Sequence, residues 1–378
     1  MRMLRRVIGL VAALLAASGS SACRHQPAPP AIWVSAYLRA VKQGTVLPVA
    51  EIDFGAFTHL IHFSVRPRSD GTLDDSAISP ASSQEIVQAA HAAARKVLLC
   101  AGGSDTGAAW APAIADPALR SALVDALLAM VLARQYDGID LDFEPLDPAR
   151  LSDPSLLADF GSFVDELHAR LAQKGLLLTA APGPTSLEAG FYAARQSEFD
   201  QINVQTYNLS GVSTKETWHN SALTSGGALN WSNGQPLPNC QDKLQLFLDA
   251  GAAPTKLGLG IDFNGKTWAG ASAPQQKLTG VSPPVPISYA QVMDTYYSVT
   301  AYHWDEGPLV PWVLVAGSSP SFISYDDERS VAAKISYVKG HALGGAFIWE
   351  LSAGYRPSQQ PGQRDALLQA IKTAAAGR

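Results

Sequence analysis

Charge is scarce in this chain. Only 16% of its 378 residues are Asp, Glu, Lys or Arg, where roughly a quarter is usual. With a net charge of −5 spread along the sequence, no basic stripe exists to hold a polyanion, so nucleic acid is excluded as a partner. The apolar content excludes a disordered chain. Cysteine is equally sparse. Cys23, Cys100 and Cys240 are the only three, too few for a disulfide framework, which a chain of this size does not need. Cys100 ends an apolar run and reads as a buried free thiol. No His/Cys/Asp spacing suits zinc, no glycine-rich phosphate loop follows a strand, and Ser64 and Ser104 lack the histidine pattern of an activated nucleophile. Neither metal nor cofactor is expected, and nothing in the sequence calls for more than a monomer.

Long apolar runs are also absent. The longest, Val7–Ala17, is too short to span a bilayer. Preceded by Arg2, Arg5 and Arg6 and followed by Ser20-Ser21-Ala22, it reads as an export signal over residues 1–22. Cys23 follows directly and resembles the acylated cysteine of a bacterial lipoprotein, although Ser20 stands where Leu is usual. The expectation is an exported protein, secreted or anchored through Cys23 as an outer-membrane or cell-envelope lipoprotein. Residues 23–30, with Gln26-Pro27-Ala28-Pro29-Pro30, read as an extended tether.

What the chain does have is alternation. Eight short apolar runs begin at Ile32, His59, Lys96, Gly138, Leu176, Gln201, Leu257 and Gly344, and segments of 3.6-residue periodicity separate them. Asp116-Pro117 and Asp153-Pro154 supply helix starts, and Gly175 and Gly251 supply stops. Eight strand–helix repeats with apolar strands predict an α/β fold, a closed parallel (β/α)8 barrel over residues 31–378. Two connections exceed what a crossover needs. Tyr207 to Gln241 reads as a functional loop. Residues 265–324, rich in Trp and Tyr, read as a small α+β insertion between strands seven and eight, walling one side of the barrel mouth.

The fourth run is Asp137-Gly138-Ile139-Asp140-Leu141-Asp142-Phe143-Glu144, closed by Pro145. As a strand it places Asp140, Asp142 and Glu144 on one face and Ile139, Leu141 and Phe143 on the other. Glu144 comes last, at the carboxyl end where barrels carry their chemistry. Like charges in one row destabilise each other, which argues against a plain solvated strand. A magnesium or calcium site would want further oxygen ligands, and no second acidic cluster of similar density exists. Neighbours i and i+2 lie about 6.6 Å apart on one face, so Asp142 cannot stand across a sugar ring from Glu144, as a carboxylate nucleophile must. Glu144 would instead be the general acid, and the substrate's own N-acetyl oxygen the nucleophile. Asp142 would raise the acid's pKa from about 4.3 and accept the acetamido N–H. Asp140 would share a proton or hydrogen bond with Asp142.

These residues resemble the D-G-x-D-x-D-x-E signature of glycoside hydrolase family 18, the chitinase-like barrels. The resemblance runs from Ile32 to about Ala374. Cys100-Ala101-Gly102-Gly103 is similar to the S-x-G-G of strand three, Gln205-Thr206-Tyr207-Asn208 to the M-x-Y-[DN] of strand six, and Gly344 to Glu350 to the closing G-G-x-x-x-W-[ED]. It implies Glu144 as acid and then base, Asp142 as acetamido partner with Asp140 behind it, and Tyr207 donating to the acetamido oxygen. It also implies Trp349 as the floor under the sugar, with Tyr37, Gln205 and Asn208 as lining. Gly102 and Gly103 would let the backbone approach the sugar. Gln205, Asn208 and Lys266 stand where many members carry Met, Asp and Arg.

Among the other tryptophans, Trp110 and Trp218 are candidates for sugar contact, whereas Trp304 and Trp312 are assigned to packing. His59 and His62 read as core or hydrogen-bonded. The function implied is retaining hydrolysis of β-1,4-linked N-acetylglucosamine polymers. Hydrolysis of peptidoglycan or of the N-glycan core, or sugar binding without catalysis, remain as alternatives.

Overall fold

The computed structural model describes residues 32–104, 106–144 and 152–377. The expected signal, tether and Cys23 lie outside them. The barrel strands are β1 (Trp33–Arg39), β2 (His59–Pro67), β3 (Lys96–Gly102), β4 (Gly138–Asp142), β5 (Leu177–Ala180), β6 (Gln201–Val204) and β7 (Leu257–Asp262). An insertion follows with β8 (Asn264–Ala269), β9 (Val285–Ser288), β10 (Tyr302–Asp305), β11 (Val310–Val315) and β12 (Ser321–Ser324), and β13 (Gly345–Trp349) completes the barrel. Around the ring the order is β1-β13-β7-β6-β5-β4-β3-β2, and β1 pairs in parallel with β2 to close it. All eight expected strands are present, some shorter than the apolar runs. The sixth ends at Val204 because the Gln205 N–H turns to the Pro182 carbonyl, 3.0 Å away.

The crossover helices start where the sequence marks them. Asp116 accepts from the N–H groups of Ala118 and Leu119 at the head of α3 (Pro117–Ala133), following α1 (Pro80–Ala92) and α2 (Gly107–Ala115). Asp153 caps α4 (Pro154–Ala172) in the same way. Each helix lays an apolar stripe on the outward side chains of the barrel, such as Ile139 and Leu141, both fully buried. The barrel interior is more polar. At its floor Ser35 donates to Gln201 at 2.6 Å, and the Trp33 indole donates to Asn203 at 3.2 Å. His59 meets the Gln201 amide there, and His62 bonds Tyr136 at 2.7 Å, so neither faces a ligand. The closing pair of glycines follows from this floor, because a Cβ on Gly345 would lie 2.3 Å from the Trp33 ring.

β7 runs through Phe263 directly into β8, so the insertion grows out of a barrel strand. Its sheet is antiparallel in the order β9-β8-β12-β11-β10. The helix Glu328–Gly340, which packs against the C-terminal helix Ala366–Ala376, carries Lys334. That lysine is fully buried, pairing Asp326 at 2.6 Å and donating to Ser221 at 2.7 Å, which pins the 207–241 loop to the barrel. Cys100 and Cys240 are both buried free thiols.

Candidate active site

The direction of Glu144 is decided by its neighbour. Phe143 stacks on Phe160 at a centroid distance of 4.0 Å and meets Trp110 edge-on at 5.4 Å, filling the layer between barrel and helices. Successive side chains point oppositely, so anchoring Phe143 outward turns Glu144 to the mouth. The strand itself ends at Asp142. Glu144 therefore leaves from the segment just past β4 and is part-exposed, whereas Asp142 is 4% and Asp140 0% exposed.

The acidic row is satisfied from within. Tyr37 and Thr179 each donate to Asp140 at 2.6 Å. The Gln205 amide reaches Asp142 at 3.1 Å, Glu144 at 3.3 Å and the Ala181 carbonyl at 2.9 Å. Burial pushes the Asp142 carboxyl well above the usual carboxylate range, followed by the charges of Glu144 and Asp140 and a hydrogen bond shared with Glu144. Burial likewise raises Asp140, against the pull of Thr179, Tyr37 and Cys100. Neighbouring carboxyls this closely coupled can share one proton along the row. Tyr207 is 6% exposed and its hydroxyl has no hydrogen-bond partner among the described residues. Burial first, and then the charges of Asp262 and the acidic row, raise its pKa and keep it a donor.

Asp142, Glu144, Gln205, Tyr207, Asn208, Tyr37 and Trp349 line one cavity of about 610 Å3 at the carboxyl ends of the strands. Trp349 and Phe63 pack edge to face at 4.9 Å, and Tyr37 packs on Trp349 at 5.6 Å, which fixes an aromatic wall. Asp140 stands behind this surface, not on it.

Four expected contacts are corrected. Trp110 is fully buried, with its indole N–H on Thr106 at 3.1 Å and its ring among Phe143, Phe160 and Phe163. Trp218 is 1% exposed, packs with Leu237 and Val310, and donates to the Pro238 carbonyl at 2.8 Å. Both rings fill cores that the apolar content of their surroundings demands. Gly102 and Gly103 do not line the cavity either. A Cβ on Gly102, whose φ is +126°, would lie 2.1 Å from the Asp142 carbonyl, and the Gly103 N–H bonds that same carbonyl at 2.9 Å. The glycines let β3 approach β4, so they position the acidic strand and not a sugar.

No described lining residue comes from the insertion or from residues 209–241. The loop and the insertion spend their aromatic side chains on each other, as where the Trp268 indole donates to the Trp218 carbonyl at 3.2 Å. The rest of the lining comes instead from Arg39, Val41, Phe63, Ser64, Arg66, Asp74, Ser76, Ala77 and Ser104, with Ala181. Sequence reasoning missed these. The available signal was position at the ends of β1 to β3, where barrel function concentrates. Lys266 is not on the wall and donates to the Ser210 carbonyl at 2.7 Å. No group of three or more His, Cys, Asp or Glu able to hold a metal occurs among the described residues.

With this geometry the chain was compared with known proteins. A family model for the glycosyl hydrolases family 18 matches residues 37–354. Chitinase A1 of Niallia circulans is 29% identical over 283 residues, covering 68% of this chain and 40% of that protein. Mouse chitotriosidase-1 is 28% identical over 275 residues, covering 68% of this chain and 58% of that protein. The chain thus spans about half the length of the curated relatives it matches. Among solved structures, the Group IV chitinase of Ostrinia furnacalis has a TM-score of 0.78 at 22% identity, covering 92% of this chain and 100% of that one. A Cycas revoluta chitinase in complex with (GlcNAc)3 has a TM-score of 0.75 at 21% identity, covering 91% and 100%. The eight-stranded barrel, the acidic row at the end of β4 and the matching family model agree: the chain belongs to the glycosyl hydrolases family 18.

Proposed function

We propose that the chain is a retaining glycoside hydrolase that cleaves β-1,4-linked N-acetylglucosamine polymers, with the substrate's own acetamido group as nucleophile. The observation that carries this reading is the row of three carboxyls along β4 and the segment just past it, with Asp140 and Asp142 buried, Glu144 part-exposed at the mouth, and Tyr207, whose hydroxyl has no partner among the described residues, lining the same cavity. The matched chitinases, one of them solved with (GlcNAc)3, support the choice of sugar.

In this mechanism the acetamido carbonyl oxygen forms a bond to C1 while the C1–O bond to the leaving sugar breaks. Glu144 gives its proton to that leaving oxygen. Positive charge develops on the acetamido nitrogen as an oxazolinium ring closes, and the Asp142 carboxyl accepts its N–H in a dry, low-dielectric site. Asp140, bonded by Tyr37 and Thr179, steadies Asp142 from behind. Tyr207 donates to the acetamido oxygen and aligns it for attack, and Trp349 supports the ring. Water, deprotonated by Glu144, then opens the ring at C1 from the face the leaving group vacated, so configuration is retained. The leader and Cys23 support export, secreted or lipid-anchored.

The test is Glu144→Gln on N-acetylchitooligosaccharides, with the first product's anomer read by proton NMR. Expected are a β-anomer from the unaltered chain and a loss of about 10²- to 10⁴-fold in kcat for the variant, with oligosaccharide binding retained. An α-anomer, or unchanged turnover, would overturn the assignment.

A further inference from the structure

We infer that the cavity selects saccharides carrying a carboxylate substituent, held at the barrel mouth by Arg39. This rests on the glycosidase reading above and names its substrate class. Ser35, Tyr37 and Arg39 share the inward face of β1. Ser35 reaches Gln201 in the barrel floor, Tyr37 reaches Asp140 in the middle, and Arg39 tops the row at the cavity wall. Its guanidinium forms no hydrogen bond or ion pair with any described residue. Every other described arginine has a partner, a carboxylate in most cases and the Phe54 carbonyl for Arg95. The acid whose charge Arg39 influences, Glu350, is buried and accepts from the N–H and hydroxyl of Ser352.

Arg66 lines the same cavity from β2, which pairs directly with β1. A described carboxylate of that wall, Asp74, is engaged by Arg68 at 3.6 Å and by the Ser76 N–H at 3.0 Å, and also feels the charge of Arg66. A planar guanidinium left unmatched at the rim of a polar cavity is suited to a carboxylate, which it can bind through two parallel hydrogen bonds. A neutral N-acetylglucosamine oligomer offers it only hydroxyls and amides. An oligomer bearing an O-linked carboxylate, such as a 3-O-lactyl ether on alternate sugars, supplies the missing anion.

The full chain should be assayed on two oligomers of equal length, one neutral and one with 3-O-lactyl ethers on alternate sugars and no peptide. In parallel, their binding to the Glu144→Gln variant should be measured by calorimetry. Expected is a kcat/KM at least tenfold higher for the carboxylated oligomer and a correspondingly tighter Kd. Arg39→Gln should lower that ratio about tenfold, Arg39→Lys less, and added salt should also lower it. Equal binding of the two oligomers, or a ratio that Arg39→Gln leaves unmoved, would overturn the inference. A chain that binds the carboxylated oligomer tightly but cleaves neither would remove the hydrolase reading and leave this one standing.

Discussion

Asp262, at the end of β7, gives a prediction whose size follows from its surroundings. It is 3% exposed and accepts from Asn220 at 2.9 Å and from the N–H and amide of Asn264 at 2.8 and 3.0 Å. Burial outweighs these bonds and raises its pKa from the ordinary 3.8 to about 7. Below pH 3.8 both folded and unfolded chains hold the proton, so Asp262 is neutral in each. Between 3.8 and about 7 the folded chain keeps a proton that the unfolded chain has released, so stability falls as pH rises through that window. Above it both states are charged, and the whole penalty is present. At about 1.36 kcal/mol per pKa unit, the penalty is on the order of 4 kcal/mol. Asp262→Asn removes the ionisation and keeps a neutral acceptor for Asn264. Urea unfolding of both chains at pH 4, 6 and 8 separates this site from the other buried acids, which both chains share. The variant should gain on the parent as pH rises, by a few kcal/mol between pH 4 and 8. Parallel pH curves would refute the reasoning.

Other expectations concern catalysis. On the proposed mechanism Tyr207→Phe removes one hydrogen bond to a charge-developing acetamido group, about 1.5–3 kcal/mol, so kcat should fall roughly 10- to 100-fold with KM little changed. A loss confined to KM would assign Tyr207 to ground-state binding. Gln205→Met removes an amide donor shared by Asp142 and Glu144. Donors to carboxylates favour their ionised forms, so the loss of this amide should raise the Asp142 pKa further and move the pH–rate profile to the alkaline side. An unmoved profile would show that the amide serves only the Ala181 carbonyl.

The barrel was legible because strand and crossover signals repeat eight times, and because Asp116 and Asp153 mark helix starts that no tertiary contact overrides. The acidic row was legible for a similar reason, since period-two alternation alone orients Asp140, Asp142 and Glu144. Tryptophan was not. Trp110 and Trp218 sit in sequence where loops reach the mouth, yet their large apolar area is best buried. The free energy of that burial, and not position along the chain, decided where the rings went. Gly102 was correctly read as a site of close approach, but the approaching group is the next strand's carbonyl, a register contact invisible before pairing is known. Arg39 was overlooked because an arginine acquires meaning only when its partners can be counted in three dimensions.

The most direct test of the mechanism is a pair of matched oligosaccharides, one with 2-acetamido groups and one with hydroxyl at carbon 2, assayed at equal concentration. If the sugar supplies the nucleophile, the acetamido substrate is cleaved with retention and the hydroxyl analogue resists hydrolysis even when bound. Ready, retaining turnover of the hydroxyl analogue would place the nucleophile on the protein. Asp74, the remaining carboxylate among the described residues of the cavity wall, would be the first side chain to replace.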